Sequence, residues 1–219
     1  MIPIYVIHHP PLVERKAYLS KILPFAQFIE KTELDICCEP DERAWKKRTE
    51  GMYGGEIPFR ELTWGDYDCI EKHYAALTEI SNLTVPGLIL EDDAILLNGF
   101  WECLHQVVQK EKYSHWDLLF IGGAFPHTVA PSIYPDHEGE MMPFVPKGHP
   151  CSNTVCSYVV KPDIAALLAH HIWTKGAVLP IDFEINYMCK ELQLKVCHYL
   201  PYVVQEGSSA GYYKKSQVR

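Results

Sequence analysis

The 219-residue sequence has no long apolar run and no basic stripe, and its one short basic cluster, Arg43–Arg48, is followed by acids and is typical of a solvated helix face. No stretch approaches the ~18 uninterrupted apolar residues of a membrane-spanning helix, and the N-terminus lacks a basic region followed by an apolar core. We therefore expect neither a membrane span nor a signal peptide, and a cytoplasmic location. The formal net charge of −8 argues against a nucleic-acid partner and against an anionic membrane, since either needs a basic stripe.

The eight cysteines show no CxxC spacing, which is the usual sign of a zinc or redox motif. Most of them lie in apolar stretches, where a free cysteine behaves as a small hydrophobic residue. We expect reduced thiols, with Cys151 and Cys156 as the pair to check for a bond.

Strand and helix patterns alternate along the chain. A β-branched and aromatic run at residues 2–7 precedes a helical pattern at 13–23, and the alternation continues to a short strand at 195–199. Residues 40–62 break the pattern and predict a loop. We predict one α/β domain over residues 1–206, with a mostly parallel central sheet flanked by helices, and a flexible C-terminal tail at 207–219.

The sharpest concentration of charge is the acidic triplet Glu91, Asp92 and Asp93, which follows a short apolar run. Like charges raise the free energy of ionising each neighbour, so a fold retains such a group at a strand end when a cation lies there. Because side chains alternate along a strand, Glu91 and Asp93 face one side and Asp92 the other. This arrangement suits Mn²⁺ or Mg²⁺ bound to a diphosphate. A solvated acidic loop is the alternative.

Residues Thr63 and Asp66 have the spacing of a capping box and predict a helix that runs to Ile80. Cys69 and His73 lie on its apolar stripe. A histidine on such a stripe is more often a buried core residue than a functional group.

Several segments occur in the order found in one enzyme family. LTWGDYDCIEKHYAAL at 62–77 is similar to LTxGExGCxxSHxxxW, GLILEDDAIL at 87–96 to an EDD strand, and WDLLFIGG at 116–123 to WDxxxLG. With the helix containing Glu14-Arg15, the segment LPIDFEINY and the later Gln205 and Ser208, they resemble glycosyltransferase family 25, the lipooligosaccharide and procollagen galactosyltransferases. The chain differs from the family at the turn His8-His9-Pro10-Pro11.

The resemblance implies a GT-A fold, a UDP-sugar donor carrying galactose or glucose, a divalent metal and inversion at the anomeric carbon. The acceptor is then a hydroxyl of a glycan or of a hydroxylated peptide side chain. His73 matches the family's histidine and is implied as a donor-site contact, although the preceding Lys72 replaces a serine. The oligomeric state is left open.

Inverting transfer needs a base beside the acceptor hydroxyl and a cation at the departing diphosphate. We assign Asp93 as the metal ligand, Glu91 as a second or water-mediated ligand, and Asp92 as a hydrogen-bonding partner of the donor ribose or sugar. Asp182, after Pro180 at a predicted helix start, is the first candidate for the base and Glu184 the second. The alternative for Asp182 is that it only caps that helix.

Five further residues are candidates with equally ordinary alternatives. His8 and His9 follow the first strand, where a nucleotide base and ribose bind in α/β sheets, or they only fill a turn. Arg15 and Arg60 could contact the diphosphate, or form ordinary salt bridges. His198 could complete the metal shell, although an edge-strand histidine is commoner.

Two other functions stay open. The altered turn motivates a non-catalytic relative that binds a nucleotide-sugar or glycan, or that serves as a subunit of a partner. A metallohydrolase is less well supported, because the paired histidine and aspartate ligands of a two-metal site are missing.

Overall fold

The computed structural model describes residues 2–32, 41–52, 56–109, 115–123, 143–144, 151–152 and 154–213. The pattern also predicts a weak extended segment at 33–38 and a long loop at 124–150; the first, with Cys37 and Cys38, and most of the second lie outside the described residues, as do residues 214–219. None of the described helices is long and apolar enough to cross a membrane. The cysteines of the described part, Cys151 and Cys156 among them, are free thiols.

Strands and helices alternate along most of the described chain. The strands are β1 (Ile4–Ile7), β2 (Gln27–Ile29), β3 (Gly87–Glu91), β4 (Ala94–Leu96), β5 (Leu118–Phe120), β6 (Gly122–Gly123), β7 (Pro143–Phe144), β8 (Ser157–Val160), β9 (Val196–Tyr199) and β10 (Val204–Glu206). The helices are α1 (Val13–Ile22), α2 (Glu42–Thr49), α3 (Trp64–Ser81), α4 (Phe100–Val108), α5 (Pro162–Lys175) and α6 (Ile181–Glu191).

A seven-stranded sheet in the order β2-β1-β3-β8-β5-β9-β7 forms the centre of the fold. The expected α/β class, with a central sheet flanked by helices, is confirmed. The sheet is mixed rather than mostly parallel: β1 pairs in parallel with β2 and β3, and β5 with β9, whereas β8 runs antiparallel to β3 and β5, and β7 to β9. The periodicity of a segment predicts a strand but not its direction. The direction depends on the end of the sheet from which the preceding connection enters the strand.

Successive side chains of the central strands enter two hydrophobic cores on opposite faces of the sheet. Tyr5 and Ile7 of β1 pack in the core that receives α3, α5 and α6. Ile4 and Val6 pack in the core that receives α1 and α4. This alternation follows from the two-residue period of a strand and produces three layers.

Local signals explain two helix starts. The capping box at α3 is confirmed, because the Thr63 hydroxyl accepts a hydrogen bond from the Asp66 N–H while the Asp66 carboxylate accepts one from the Thr63 N–H. The loop expected over 40–62 contains α2, so that expectation is wrong there. Asp41 caps α2 by accepting from the Ala44 N–H at 2.8 Å, and the buried Trp45 anchors the helix on the core.

A small second sheet, β4-β10-β6, holds the C-terminal part of the chain beside the acidic triplet. β10 pairs antiparallel with β4, so that Glu206 lies opposite Ala94. The Gly207 N–H then donates to the Asp93 carbonyl at 2.8 Å. A Cβ atom on Gly207 would lie 2.7 Å from that carbonyl oxygen, so this close approach requires glycine.

Candidate functional site

A cleft of about 390 Å³ opens where β1 and β3 end. The turn after β1, the start of α3, the acidic triplet, the start of α6 and the segment after β10 form its walls. Parallel strands that end together leave such a crevice in α/β folds. Seven of the sequence-predicted site residues line it, namely His8, His9, Arg15, Glu91, Asp92, Asp93 and Asp182.

Asp92 joins the ends of β1 and β3. One carboxylate oxygen accepts from Arg15 Nη1 at 2.7 Å. The other lies 2.9 Å from His8 Nδ1 and accepts from the His9 N–H at 2.9 Å. The middle acid of the triplet therefore positions the turn at the cleft, and the expected contact with a donor ribose stays a prediction.

Four carboxyl groups in the cleft have raised pKa values: Glu91, Asp93, Asp182 and Glu206. Burial is the largest cause for each. The pKa of Glu91 lies well above its usual range, because the negative charges of Asp93, Asp182 and Glu206 add to its burial. Burial and mutual repulsion therefore disfavour full ionisation of this set, and a bound cation would favour it.

Two carboxylate oxygens in the cleft wall are buried and have no hydrogen-bond partner among the described residues: Asp93 Oδ1 and Glu206 Oε2. The second oxygen of Asp93 accepts from the Ser208 N–H at 3.2 Å. Unpartnered buried carboxylate oxygens fit the all-oxygen preference of Mg²⁺ and Mn²⁺. Asp93 and Glu206 could thus hold such an ion, with Glu91 close by.

The cleft also contains two cations that are almost fully buried. Arg15 donates to Ser208 Oγ at 3.2 Å as well as to Asp92. The Lys72 side chain is 1% exposed, and its Nζ donates to the His8 carbonyl at 2.9 Å and to Asp68. Sequence reasoning missed Lys72 as a site residue, although a lysine beside the apolar stripe of α3 was a signal.

His73 lies directly behind the cleft. Its Nδ1 is 2.9 Å from the Tyr158 hydroxyl, and its Nε2 is 3.6 Å from Glu91 Oε1. Burial lowers the pKa of His73 to about 3, so the ring is neutral at physiological pH. Cys69, one helical turn earlier, has its Sγ 4.0 Å from the same Glu91 oxygen. Cys69, His73 and Glu91 form a group whose potential ligand atoms all lie within 4.8 Å of one another.

Besides His73, three predicted site residues are not among those lining the cleft. Glu184 is fully buried against Arg48, and it accepts from the Val178 and Leu179 N–H groups. His198 is fully buried, with Nε2 2.6 Å from the Cys151 carbonyl and Nδ1 2.8 Å from the Tyr202 hydroxyl. Arg60 donates two hydrogen bonds, of 2.8 and 2.9 Å, to Asp66 beside the cleft.

Asp182 lies near the start of α6 without capping it. Pro180 occupies the N-cap, and the cap makes no side-chain hydrogen bond. The alternative in which Asp182 only caps the helix is therefore wrong. Its carboxyl group faces the cleft instead, where burial raises its pKa.

The segment after β10 adds residues that the sequence assigned to a flexible tail. Ser208 lines the cleft beside Glu206, the last residue of β10, and the Arg15 guanidinium lies 4.8 Å above the centre of the Tyr213 ring. The only signal for this segment was Gln205 and Ser208 in the family resemblance. Whether the tail is flexible stays a prediction.

No family model matches the chain, and no curated protein matches it. Among solved structures, the chain is similar to the galactosyltransferase LgtC in complex with donor and acceptor sugar analogs. The identity is 11% and the TM-score 0.37, over 90% of this chain and 73% of that chain. So distant a likeness establishes no function for this chain, and the resemblance to glycosyltransferase family 25 stays a prediction.

Proposed function

We propose that the protein is a metal-dependent, inverting glycosyltransferase. It transfers galactose or glucose from a UDP-sugar to a hydroxyl of a glycan or of a hydroxylated peptide side chain. The observation that carries the proposal is the cleft at the ends of β1 and β3, where buried carboxyl groups with raised pKa values lie beside Arg15 and Lys72. A divalent cation carrying a diphosphate satisfies both sets of charges.

Asp93 would hold the cation through its unpartnered oxygen, with Glu206 or Glu91 as the second carboxylate. When bound, Mn²⁺ or Mg²⁺ neutralises the charge that develops on the leaving diphosphate. Arg15 would contact a phosphate oxygen, since a guanidinium suits phosphate. His8 and His9 would lie beside the nucleoside.

Asp182 would act as the base. The acceptor oxygen forms a bond to the anomeric carbon as the bond from that carbon to the diphosphate oxygen breaks. The bonding electron pair leaves with UDP, and the acceptor's proton passes to the Asp182 carboxylate. A raised pKa suits this role, because it brings the pKa of the base closer to the working pH.

A non-catalytic nucleotide-sugar-binding protein is the second candidate. Asp92 favours it, because His8, His9 and Arg15 already engage both oxygens of this carboxylate. Binding without turnover would then be the whole function of the cleft.

Release of UDP from a panel of UDP-sugars, with and without Mn²⁺, tests the proposal. We expect slow hydrolysis of at least one UDP-hexose with Mn²⁺, loss of this activity in EDTA and recovery when Mn²⁺ is added. Asp93→Asn removes a metal ligand and should abolish UDP release. Asp163→Asn, on exposed α5 surface away from the cleft, is the matched control.

Nucleotide binding measured in the same samples separates the two candidates. Binding of UDP with Mn²⁺ but no UDP release from any sugar would favour the non-catalytic protein. Full UDP release by Asp93→Asn would contradict the proposed metal site, and no binding of any nucleotide would reject both candidates.

A further inference from the structure

We propose that Cys69, His73 and Glu91 form a zinc site at the inner wall of the cleft, separate from the cation that would accompany a diphosphate, for which Glu206 would then be the second carboxylate beside Asp93. Cys69 and His73 are four residues apart on α3 and therefore lie one above the other on the same helix face. Glu91 at the end of β3 faces them, and the potential ligand atoms of the three side chains lie within 4.8 Å of one another.

The separations are close to those of a tetrahedral site. Zinc binds nitrogen, oxygen and sulfur at about 2.0–2.3 Å, so ligand atoms around it lie roughly 3.3–3.8 Å apart. His73 Nε2 and Glu91 Oε1 are 3.6 Å apart, and Cys69 Sγ and the same oxygen 4.0 Å. Small side-chain rotations would bring all three onto one ion.

The unpartnered nitrogen of His73 is an independent observation that points to a ligand. The His73 side chain is fully buried, and Nε2 has no hydrogen-bond partner among the described residues. It is directed at Glu91, too far for a good hydrogen bond. A buried polar atom without a partner is destabilising, and coordination to a metal would satisfy it.

The other ring nitrogen has the partner that such a site requires. His73 Nδ1 is 2.9 Å from the Tyr158 hydroxyl. Metal-binding histidines commonly donate their second N–H to a neighbouring acceptor, which fixes the tautomer and directs the free lone pair at the ion. Donation from Nδ1–H to Tyr158 leaves the Nε2 lone pair facing Cys69 and Glu91.

The donor set selects the kind of ion. Thiolate and imidazole ligands favour zinc over Mg²⁺ or Mn²⁺, which prefer oxygen. Cys69 would bind as the thiolate and release its proton, so that thiolate and carboxylate balance the charge of Zn²⁺. Both Cys69 and Glu91 line the cleft, which provides an entry path and leaves the fourth position open to water.

Metal binding to the reduced, chelator-treated protein tests the site without nucleotide or sugar. We expect one Zn²⁺ per chain by competition with a chromophoric chelator, and at least one proton released per ion, because Cys69 binds as the thiolate and Glu91 as the carboxylate. Substitution with Co²⁺ should produce thiolate-to-metal charge-transfer absorption, which requires a cysteine ligand. This measurement on the unmodified protein does not depend on the folding of any variant.

Matched cysteine variants locate the ion. Cys69→Ala should weaken Zn²⁺ binding ~100-fold or more, since loss of an outer partner of a ligand alone costs 10–100-fold, and should abolish the charge-transfer band. Cys103→Ala, in α4 on the other core, should change neither. A Co²⁺ complex of the unmodified protein without that band, or equal zinc affinity in Cys69→Ala, would overturn the proposal.

Asp93→Asn distinguishes this site from the one in the proposed function. The variant should keep zinc binding and lose Mn²⁺-dependent UDP release. If the unmodified protein released UDP with Mn²⁺ but bound no zinc, the zinc site alone would be rejected. If it bound zinc but released no UDP from any UDP-sugar, the proposed transfer reaction alone would be rejected.

Discussion

Asp182 and Asp93 carry the chemistry proposed here, and each lies in the cleft with a carboxyl group whose pKa is raised by burial. Raised pKa values at carboxyl groups that share a cleft are typical of functional sites. Substitutions of the two residues should have different effects, because Asp182 is assigned to proton transfer and Asp93 to metal binding.

Asp182→Asn should lower the rate of transfer by about 10²–10⁴-fold, because general-base catalysis contributes that much. The affinity for UDP with Mn²⁺ should be unchanged, since the proposal assigns Asp182 no contact with the diphosphate. Initial rates and nucleotide titrations check both quantities. A variant that loses nucleotide binding along with activity would move Asp182 from the acceptor side to the donor side.

Asp93→Asn should stabilise the metal-free protein at high pH. Because burial raises the pKa of Asp93 above its unfolded value, the folded state binds this proton more tightly than the unfolded state does. The stability of the unmodified protein is therefore fullest below the unfolded pKa and falls as pH rises through the folded pKa.

The stability gain from Asp93→Asn should accordingly be present at about pH 8 and vanish near pH 4. Thermal unfolding in EDTA at a series of pH values measures it, with Asp163→Asn as control. A gain that grows as the pH falls would show that the Asp93 charge is stabilised in the fold.

Helix α6 illustrates how one element serves two purposes. Asp182 and Glu184 are two residues apart and so lie on nearly opposite sides of the helix. Asp182 faces the cleft, whereas Glu184 binds Arg48 of α2 and the N–H groups of Val178 and Leu179. Glu184 therefore fixes the position of α6 against α2, and through it the position of Asp182.

Glu184→Gln should lower the free energy of unfolding by about 1–3 kcal/mol, because it leaves the charge of the largely buried Arg48 without its counter-ion. The loss is smaller than for an ordinary buried pair, because burial already raises the pKa of Glu184 and disfavours its charge. At a temperature where the variant is folded, transfer should remain within a few-fold of normal. Denaturant unfolding and initial rates test this, with exposed Glu191→Gln as the matched control. A variant of normal stability that had lost activity would instead favour Glu184 as the base.

The whole molecule couples the cleft to the stability of the fold, because the cleft joins β1, β3, α3, α6 and the segment after β10. A ligand that binds only the folded protein stabilises it by about 2.7 kcal/mol at 100 times its dissociation constant. For a protein of this size that corresponds to roughly 5–10 °C in melting temperature.

UDP with Mn²⁺ should therefore raise the melting temperature by roughly 5–10 °C at saturating concentration. UDP alone should raise it less, because the facing carboxyl groups then repel the diphosphate. Differential scanning fluorimetry with UDP, Mn²⁺, both and neither makes the comparison. Equal shifts with and without Mn²⁺ would argue that nucleotide binding is independent of metal.

The sequence by itself determined the identity of most elements and the position of the acidic triplet at a strand end. Signals for these features lie within a few residues: two-residue alternation in β1 and β3, the stripe of α3 and its Thr63 capping box. The sequence did not identify the partners of the triplet, because Arg15 and Asp92, which form an ion pair, are 77 positions apart in the chain.

Only the tertiary structure decided which side chains share the cleft. It brought Lys72 and Glu206 into the cleft and left Glu184 and His198 outside. It also set β8 antiparallel to its neighbours. Strand direction, helix rotation and the return of the C-terminal segment depend on packing between segments far apart in sequence, and no local periodicity records them.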